Sequence, residues 1–350
     1  HLDTSPLGNA GGADLAEIDV RDRAGTDDCS SHEVAGICGV RDEPVEADRE
    51  VVEPDRSRLR VVSRQGRDAC GPAEHLRGHG IEVLHDLPGV GANLRDHFYC
   101  SLIFRCREPV TINELARSPL RKAIAGAQYV LARRGPLAAN GIFAGIFTRT
   151  DETRDRPNLQ INTNIWSVAS RDRRGMRVHD FPGFTMSPVH LDPVATGEVR
   201  LRAPDPFADP VIRHNFFRDE VDRMAMADAV RITRHIAGQP ALARYMAEEI
   251  RPGPAVRTQA EIVDWLRGNG IANLHPVGSC AMLPLAAGGV VDHRLRVHGI
   301  GGLYVADASI MPRLPAGNTN APSIMIGERC AAMVLEDMAQ GAAPGMKGAA

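Results

Sequence analysis

The sequence predicts a mixed α/β fold in which an antiparallel sheet is backed by helices. Short runs between residues 98 and 217 alternate apolar and polar side chains, which is typical of antiparallel strands with one face on a core. Apolar residues recur at helical spacing over residues 219–250 and 323–335, which predicts packed helices. A short apolar run at 303–306 precedes the last of these helices. The chain therefore also contains a strand–loop–helix unit.

The first part of the chain carries little structural signal. Residues 1–70 are rich in Asp, Arg, Gly and Ser and have no sustained period of 2 or 3.6, which predicts loop or disorder. The pattern changes at Gly71. Residues 71–80 predict a short helix with proline at its start and glycine at its end, and residues 81–84 predict a strand.

A glycine-bearing turn follows in the run Leu87–His97. Gly89 and Gly91 are compatible with a dinucleotide-binding fingerprint, but Leu94 occupies the place of the third glycine. We therefore interpret this run as a structural turn.

The central part of the chain predicts strands first and helices later. The alternating runs are at 101–105, 158–162 and 198–201, and a helix at 120–133 interrupts them. Residues 258–268 open with a Thr-x-x-Glu capping box, which predicts a second helix after the one at 219–250.

Composition excludes several classes of function. The 350-residue chain has a formal net charge of -3 and a pI near 6.5, without the basic stripe that nucleic acid or an anionic membrane surface would favour. We see no transmembrane run and no secretory signal. Seven cysteines without a Cys-x-x-Cys pair indicate scattered reduced thiols, so we expect a cytoplasmic protein.

Two polar residues near the C-terminus are candidates for catalysis. His275 opens the run His-Pro-Val-Gly-Ser-Cys, and Asn318 lies in Gly-Asn-Thr-Asn-Ala-Pro. Histidine suits a general base because its ordinary pKa of about 6.5 lies near working pH. A carboxamide both donates and accepts hydrogen bonds, so it can orient an alcohol oxygen. On residue type alone, both are equally compatible with turn-forming roles.

The other histidines have no spacing that predicts a metal site. For His97, His190, His293 and His298 we expect solvated or structural roles, and we expect no metal.

These C-terminal runs resemble the glucose-methanol-choline (GMC) oxidoreductases, which are FAD-dependent alcohol oxidases and dehydrogenases. The resemblance covers residues 71–338 and points to the choline and alcohol dehydrogenase branch. It implies that His275 is the active-site base and Asn318 its partner, acting on a small-molecule alcohol. The electron acceptor, oxygen or a carrier, stays open.

The resemblance also implies residues that contact FAD. They are Asp307, Ala308, Asn320, Ala321 and Asn93. Asp307 either accepts from the ribityl hydroxyls or only caps its own turn. Asn320 is expected to be the N-cap of the last helix, whose N-terminus suits an anionic reduced flavin.

The family resemblance implies a division of the chain into domains. Residues 71–97 and 274–338 would form an incomplete FAD-binding Rossmann-like domain, and residues 98–273 the substrate-binding domain. Residues 1–70 are atypical, and residues 339–350 form a tail.

Family members begin with a Gly-x-Gly-x-x-Gly turn that binds the ADP half of FAD, and we find no such unit here. We therefore expect a fragment or a frame-disrupted sequence.

The predicted function is hydride transfer from an alcohol to flavin N5 with His275 as the proton acceptor. Two alternatives stay open: a catalytically silent fragment without the ADP-binding half, and a lyase on the same scaffold. A choline-like substrate would require aromatic faces or an acidic partner around its ammonium group. Phe143, Phe147, Trp166 and Phe184 are the aromatic candidates, and aliphatic, aromatic or polymeric alcohols stay open as well.

Overall fold

The computed structural model describes residues 37–39, 68–138, 141–172 and 175–340. Most of the segment 1–70 and the tail after Gln340 lie outside these residues, and the predictions for both stay predictions.

Fifteen strands are described: β1 (Ile37–Gly39), β2 (Asp68–Gly71), β3 (Glu82–Asp86), β4 (Phe98–Tyr99), β5 (Leu102–Cys106), β6 (Ala144–Thr148), β7 (Leu159–Asn164), β8 (Val168–Asp172), β9 (Gly175–Val178), β10 (Gly183–His190), β11 (Glu198–Arg200), β12 (Val211–Arg213), β13 (Met246–Arg251), β14 (Ile271–Ala272) and β15 (Leu303–Val305).

Seven α-helices accompany them within the same ranges: α1 (Ala73–Gly78), α2 (Ile112–Arg117), α3 (Pro119–Ala132), α4 (Glu220–Ala237), α5 (Pro240–Ala243), α6 (Gln259–Asn269) and α7 (Asn320–Ala339).

The largest sheet has seven antiparallel strands arranged around β10. Strand β7 pairs along one edge of β10, and β5 and β4 pair along the other. Outside these lie β6 next to β7, β13 next to β5 and β14 next to β4. All eight residues of β10 are buried, and Phe184 and Met186 of this strand share a buried core with side chains of helices α4 and α6. The predicted antiparallel sheet backed by helices is confirmed.

The core of this sheet is aliphatic and aromatic. Its fully buried side chains come from strands β5, β7 and β10 and from helices α4 and α6, and the largest are Leu102, Phe104, Leu159, Ile161, Met186, Met226, Ile262 and Leu266. Burying a side chain of this size stabilises the folded state by about 1.5–3 kcal/mol. This cluster therefore stabilises the sheet whose strands β4 and β14 lie next to His97 and His275 in the sequence.

The prediction of continuous helix over residues 219–250 is wrong at its C-terminal end. Helix α4 stops at Ala237, a single turn (α5) follows, and residues 246–251 form strand β13. The sequence Gly238-Gln239-Pro240 breaks the helix because proline cannot continue the hydrogen-bond ladder. Pairing with β5 then decides the strand, which is tertiary context that no local pattern contains.

A second buried cluster lies under helix α7. It contains Leu87, Cys280, Val290, Val291, Leu295, Val297, Tyr304, Val305, Ile310, Ile326 and Cys330. Asp337 fastens the far end of α7, because its carboxylate accepts from Arg296 Nε at 2.9 Å and from the Tyr304 hydroxyl at 2.7 Å. The cluster and these hydrogen bonds therefore hold α7 against strand β15 and the segment 290–297.

One βαβ unit is present in the described residues. Strand β2 pairs in parallel with β3, and α1 connects them. The turn between β2 and α1 has Gly71 followed by Pro72, not the glycine-rich loop of a dinucleotide fingerprint.

Candidate active site

The candidate site forms where three distant parts of the chain meet. Backbone hydrogen bonds join the run 91–97 to the run 273–279, through the pairs Gly91–Ser279, Arg95–Val277 and Asn273–His97. Two further bonds join residues 280–282 to 309–310. The sequence-predicted runs are therefore brought together on one backbone scaffold.

Unusual backbone conformations place His275 on this scaffold. Leu274, immediately before it, has a φ of 58°, and Gly278 has a φ of 90°. A non-glycine residue in the left-handed region costs about 1–2 kcal/mol, which the surrounding hydrogen bonds must offset. A Cβ at position 278 would lie 2.2 Å from the backbone oxygen of Asn93, so only glycine lets the two runs approach this closely.

His275 is half-buried and contacts three side chains. Its Nδ1 lies 3.0 Å from Nδ1 of His97 and 3.0 Å from the Asn273 carboxamide. Its Nε2 lies 3.5 Å from Nδ2 of Asn318. The two residues predicted as a catalytic pair are thus neighbours, and the nitrogen opposite the scaffold faces Asn318.

His97 is a site residue that sequence reasoning missed. Of the expected solvated or structural role, the structure excludes the solvated one, because His97 is fully buried, and it shows a direct contact with His275. The two rings meet edge to face at a centroid distance of 5.2 Å. Burial, with a smaller contribution from the neighbouring His275, lowers the pKa of His97 to about 4. The signal was its position at the end of the Leu87–His97 run.

Asp96 anchors the backbone of both histidines. Its Oδ1 accepts from the backbone N–H of His275 at 2.9 Å, and the carboxyl also accepts from the backbone N–H of His97. Burial raises the pKa of Asp96 to about 7, while these two hydrogen bonds oppose the rise. Asp96 was likewise absent from the predicted site.

Helix α7 presents its N-terminus beside this pair. Asn318, Asn320 and Ala321 are exposed there. The prediction that Asn320 is the N-cap is wrong by one residue: Thr319 holds that position, and its carbonyl already accepts from the backbone N–H of Ser323. Asn320 and Ala321 therefore belong to the first turn, where backbone N–H groups have no intrahelical partner.

Asp307 lies at the end of β15, as the strand–loop–helix pattern predicts. Its Oδ1 accepts from the backbone N–H of Ser309 at 2.8 Å and caps a short 3-10 helix at Ala308–Ile310. Ala308 is buried. Capping engages Oδ1. The expected contact between Asp307 and the ribityl hydroxyls stays a prediction, and it would involve Oδ2.

Asn93 lies in the run 91–97 and has a φ of 54°. Its amide nitrogen donates to the backbone oxygen of Pro312 at 3.3 Å, and its Oδ1 accepts from Arg95 Nε at 3.2 Å. The structure thus shows a bracing role for this side chain, and its predicted contact to the cofactor stays a prediction.

The aromatic residues considered for an ammonium pocket are in different environments. Phe184 is a core residue that stacks on Phe104 at 5.0 Å, whereas Phe143 and Phe147 are exposed on and beside the edge strand β6. The three are therefore not brought together in the described residues.

Two absences concern only the part of the chain that the structure describes. No group of three or more His, Cys, Asp or Glu side chains is placed to hold a metal ion there. No helix in those ranges is both long and apolar enough to cross a membrane.

The chain is similar to known proteins in sequence and in fold. A family model described as GMC oxidoreductase matches residues 193–327. The oxygen-dependent choline dehydrogenase 1 of Chromohalobacter salexigens is 37% identical over 266 residues, which is 76% of this chain and 47% of that protein. The oxygen-dependent choline dehydrogenase of Pseudomonas aeruginosa is 38% identical over 265 residues, covering 76% and 46%. The chain thus spans about half the length of these relatives.

Solved structures agree on the fold. A fungal aryl-alcohol oxidase superposes with a TM-score of 0.64 and 26% identity, covering 78% of this chain and 52% of that one. A formate oxidase of Aspergillus oryzae, studied for FAD modification, gives 0.68 and 23%, covering 77% and 51%. The described residues therefore share the fold of these oxidases. Over its described C-terminal portion, the chain belongs to the GMC oxidoreductase family.

Proposed function

We propose that this chain is part of an FAD-dependent oxidoreductase that oxidises an alcohol, with His275 as the proton acceptor. The observation that carries the proposal is the pair formed by His275 Nε2 and Asn318 Nδ2, 3.5 Å apart, at the exposed N-terminus of α7. An alcohol oxygen between these two groups would meet a base on one side and a hydrogen-bond donor on the other.

The residues present fit the flavin part of FAD. Helix α7 has 20 residues, and its first turn carries the positive end of the helix dipole. Asn320 and Ala321 in this turn are exposed, so an anionic ring system can approach the backbone N–H groups. Asp307, at the end of β15, would hold the ribityl chain. When bound, FAD supplies the acceptor for the hydride.

The chain's own residues would manage the proton. Oxidation of a CH–OH group releases the hydroxyl proton, and a neutral imidazole within hydrogen-bond reach can take it. Asn318 would fix the oxygen through its amide N–H. Asp96 holds the His275 backbone, so the base keeps its position relative to α7.

The relatives suggest the substrate class. The relatives similar in sequence include oxygen-dependent choline dehydrogenases, so we propose a small primary alcohol, with choline as the first candidate.

The test uses the purified chain mixed with FAD. Quenching of flavin fluorescence measures binding, and bleaching of the flavin absorbance under anaerobic conditions measures reduction by choline or by a panel of primary alcohols. We expect the unmodified chain to reduce its flavin with an alcohol, and His275→Ala to do so about 10²-fold or more slowly. Flavin binding should be the same in the two proteins.

The matched control is His235→Ala, on the exposed side of α4, which we expect to reduce flavin at the unmodified rate. Flavin binding without reduction by any alcohol would contradict the proposed oxidation. Failure to bind FAD would favour the silent-fragment alternative, and cyanohydrin cleavage without flavin reduction would favour the lyase.

A further inference from the structure

We infer that His97 is a positioning residue that fixes the tautomer of His275, so that the lone pair of the catalytic base is on Nε2. The inference builds on the proposed function, and it follows from a chain of three groups: the Pro315 carbonyl, His97 and His275. Each link restricts which nitrogen of the next ring carries the proton.

The first link is the Pro315 carbonyl, which can only accept a hydrogen bond. It lies 3.0 Å from His97 Nε2. If Nε2 carried no proton, its lone pair would point at a lone pair of the carbonyl oxygen, and the contact would be repulsive. His97 Nε2 must therefore carry a proton and donate it to the Pro315 oxygen.

The second link is the charge of His97. Its ring is fully buried, and a charged imidazolium there would lose its hydration. The titratable groups around it are His275, the buried His190, whose charged form would repel it, and the adjacent Asp96, whose carboxyl is engaged with backbone N–H groups. The neutral form of His97 is favoured, so its only ring proton is the one on Nε2.

The third link is the contact between the two rings. With its proton on Nε2, His97 has a bare Nδ1, and this atom lies 3.0 Å from Nδ1 of His275. An attractive contact at that distance requires a proton between the two nitrogens. His275 Nδ1 must supply it, so His275 carries its proton on Nδ1.

The Asn273 carboxamide is the group that could oppose this tautomer. Its amide position lies 3.0 Å from the same His275 Nδ1, and an N–H donor there would require a bare Nδ1. Half a turn of a carboxamide exchanges its oxygen and nitrogen with little change in shape. With its oxygen turned inward, Asn273 accepts from the His275 N–H together with His97.

The consequence concerns Nε2 of His275. In a neutral ring with its proton on Nδ1, Nε2 has a lone pair. This nitrogen faces Nδ2 of Asn318, which is a donor, at 3.5 Å. The hydrogen bonds from the Pro315 carbonyl through His97 to His275 therefore leave a basic nitrogen where the proposed substrate oxygen would lie. The other tautomer would present an N–H there.

The experiment reads the tautomer directly. The purified chain, with FAD added, is labelled with ¹⁵N-histidine, and two-dimensional correlation of ring nitrogens with ring carbon-bound protons at pH 8 shows which nitrogen of each ring is protonated. His275→Gln identifies the His275 signals by their loss. We expect the His275 proton on Nδ1 and the His97 proton on Nε2. A His275 proton on Nε2 in the unmodified chain would overturn the inference.

Two variants separate positioning from packing. His97→Leu removes the acceptor, and we expect the His275 signals to shift toward the Nε2-protonated form. His97→Asn keeps an oxygen near the place of Nδ1, and we expect it to retain the original tautomer. If His97→Leu folds and leaves the tautomer unchanged, the inference fails. If it does not fold, the unmodified chain still decides.

Kinetics supply the second readout where the proposed oxidation is confirmed. In His97→Leu we expect kcat to fall by about 10²-fold, because most molecules present the wrong nitrogen, while KM changes little. His97→Asn should recover most of that loss. The tautomer is measured without turnover. A chain that oxidises no alcohol can therefore still confirm the predicted tautomer of His275, and a chain that is active can still refute it.

Discussion

Replacement of Gly278 by alanine tests whether the close approach of the two backbone runs holds the site together. Gly278 has a φ of 90°, and a Cβ there would lie 2.2 Å from the backbone oxygen of Asn93 and 2.9 Å from its amide nitrogen. Neither run can yield easily, because Arg95 and Val277 exchange two backbone hydrogen bonds immediately beside this contact.

Two penalties add in Gly278→Ala. The left-handed backbone costs an alanine about 1–2 kcal/mol, and the overpacked contact costs about 1–3 kcal/mol. The expected loss in the free energy of unfolding is therefore about 2–5 kcal/mol. Gly288 is a matched control, since its φ is 79° but nothing lies within 4 Å of a Cβ there. Gly288→Ala should lose only the backbone share, about 1–2 kcal/mol.

Urea unfolding followed by circular dichroism measures both variants against the unmodified chain. The difference between them, about 1–3 kcal/mol, isolates the contact with Asn93. Equal losses would refute the reasoning, because they would show that residues 91–97 and 273–279 separate at no cost. A larger loss in Gly278→Ala should be accompanied by a displaced His275, visible as altered histidine signals that Gly288→Ala does not show.

Three further predictions follow from buried groups. The pKa of His97 in the folded chain, about 4, lies below the ordinary value of 6.5, so protonation of this ring favours unfolding as the pH falls. In His97→Gln, the loss of stability between pH 6.5 and 4 should therefore be smaller by about 3 kcal/mol than in the unmodified chain, and urea unfolding at several pH values measures it. Leu266→Ala should lower the free energy of unfolding, measured in urea, by about 2–5 kcal/mol, since Leu266 is fully buried. Leu131 is 85% exposed, so Leu131→Ala should change that free energy by no more than about 0.5 kcal/mol. Asp337→Asn should lower the thermal midpoint of unfolding, because it weakens the bonds from Arg296 and Tyr304.

Local patterns predict much of this fold. The alternating runs at 101–105 and 158–162 correspond to strands β5 and β7, and the capping box at Thr258 starts helix α6 as expected. Such elements are set by periodicity and caps that a few neighbouring residues contain. Strand β13 is different, because its pairing with β5 decides its conformation.

The site is predictable in part for the same reason. His275 and Asn318 are recognisable from the runs around them, and the structure places them together. His97 and Asp96 are not, because their roles depend on burial and on contacts across about half the chain. The shift of the α7 N-cap from Asn320 to Thr319 is a matter of one backbone conformation, which side-chain preference alone does not resolve.

The wide separation of the site's parts along the chain governs when it can form. His97 is 178 residues from His275 and 218 from Pro315. At a synthesis rate of about 5–20 residues per second, His97 waits about 10–35 s for its first ring partner. Closing such long loops is entropically unfavourable until both cores are packed. The histidine pair should therefore assemble late in folding, and its ring signals would report completion of the native state.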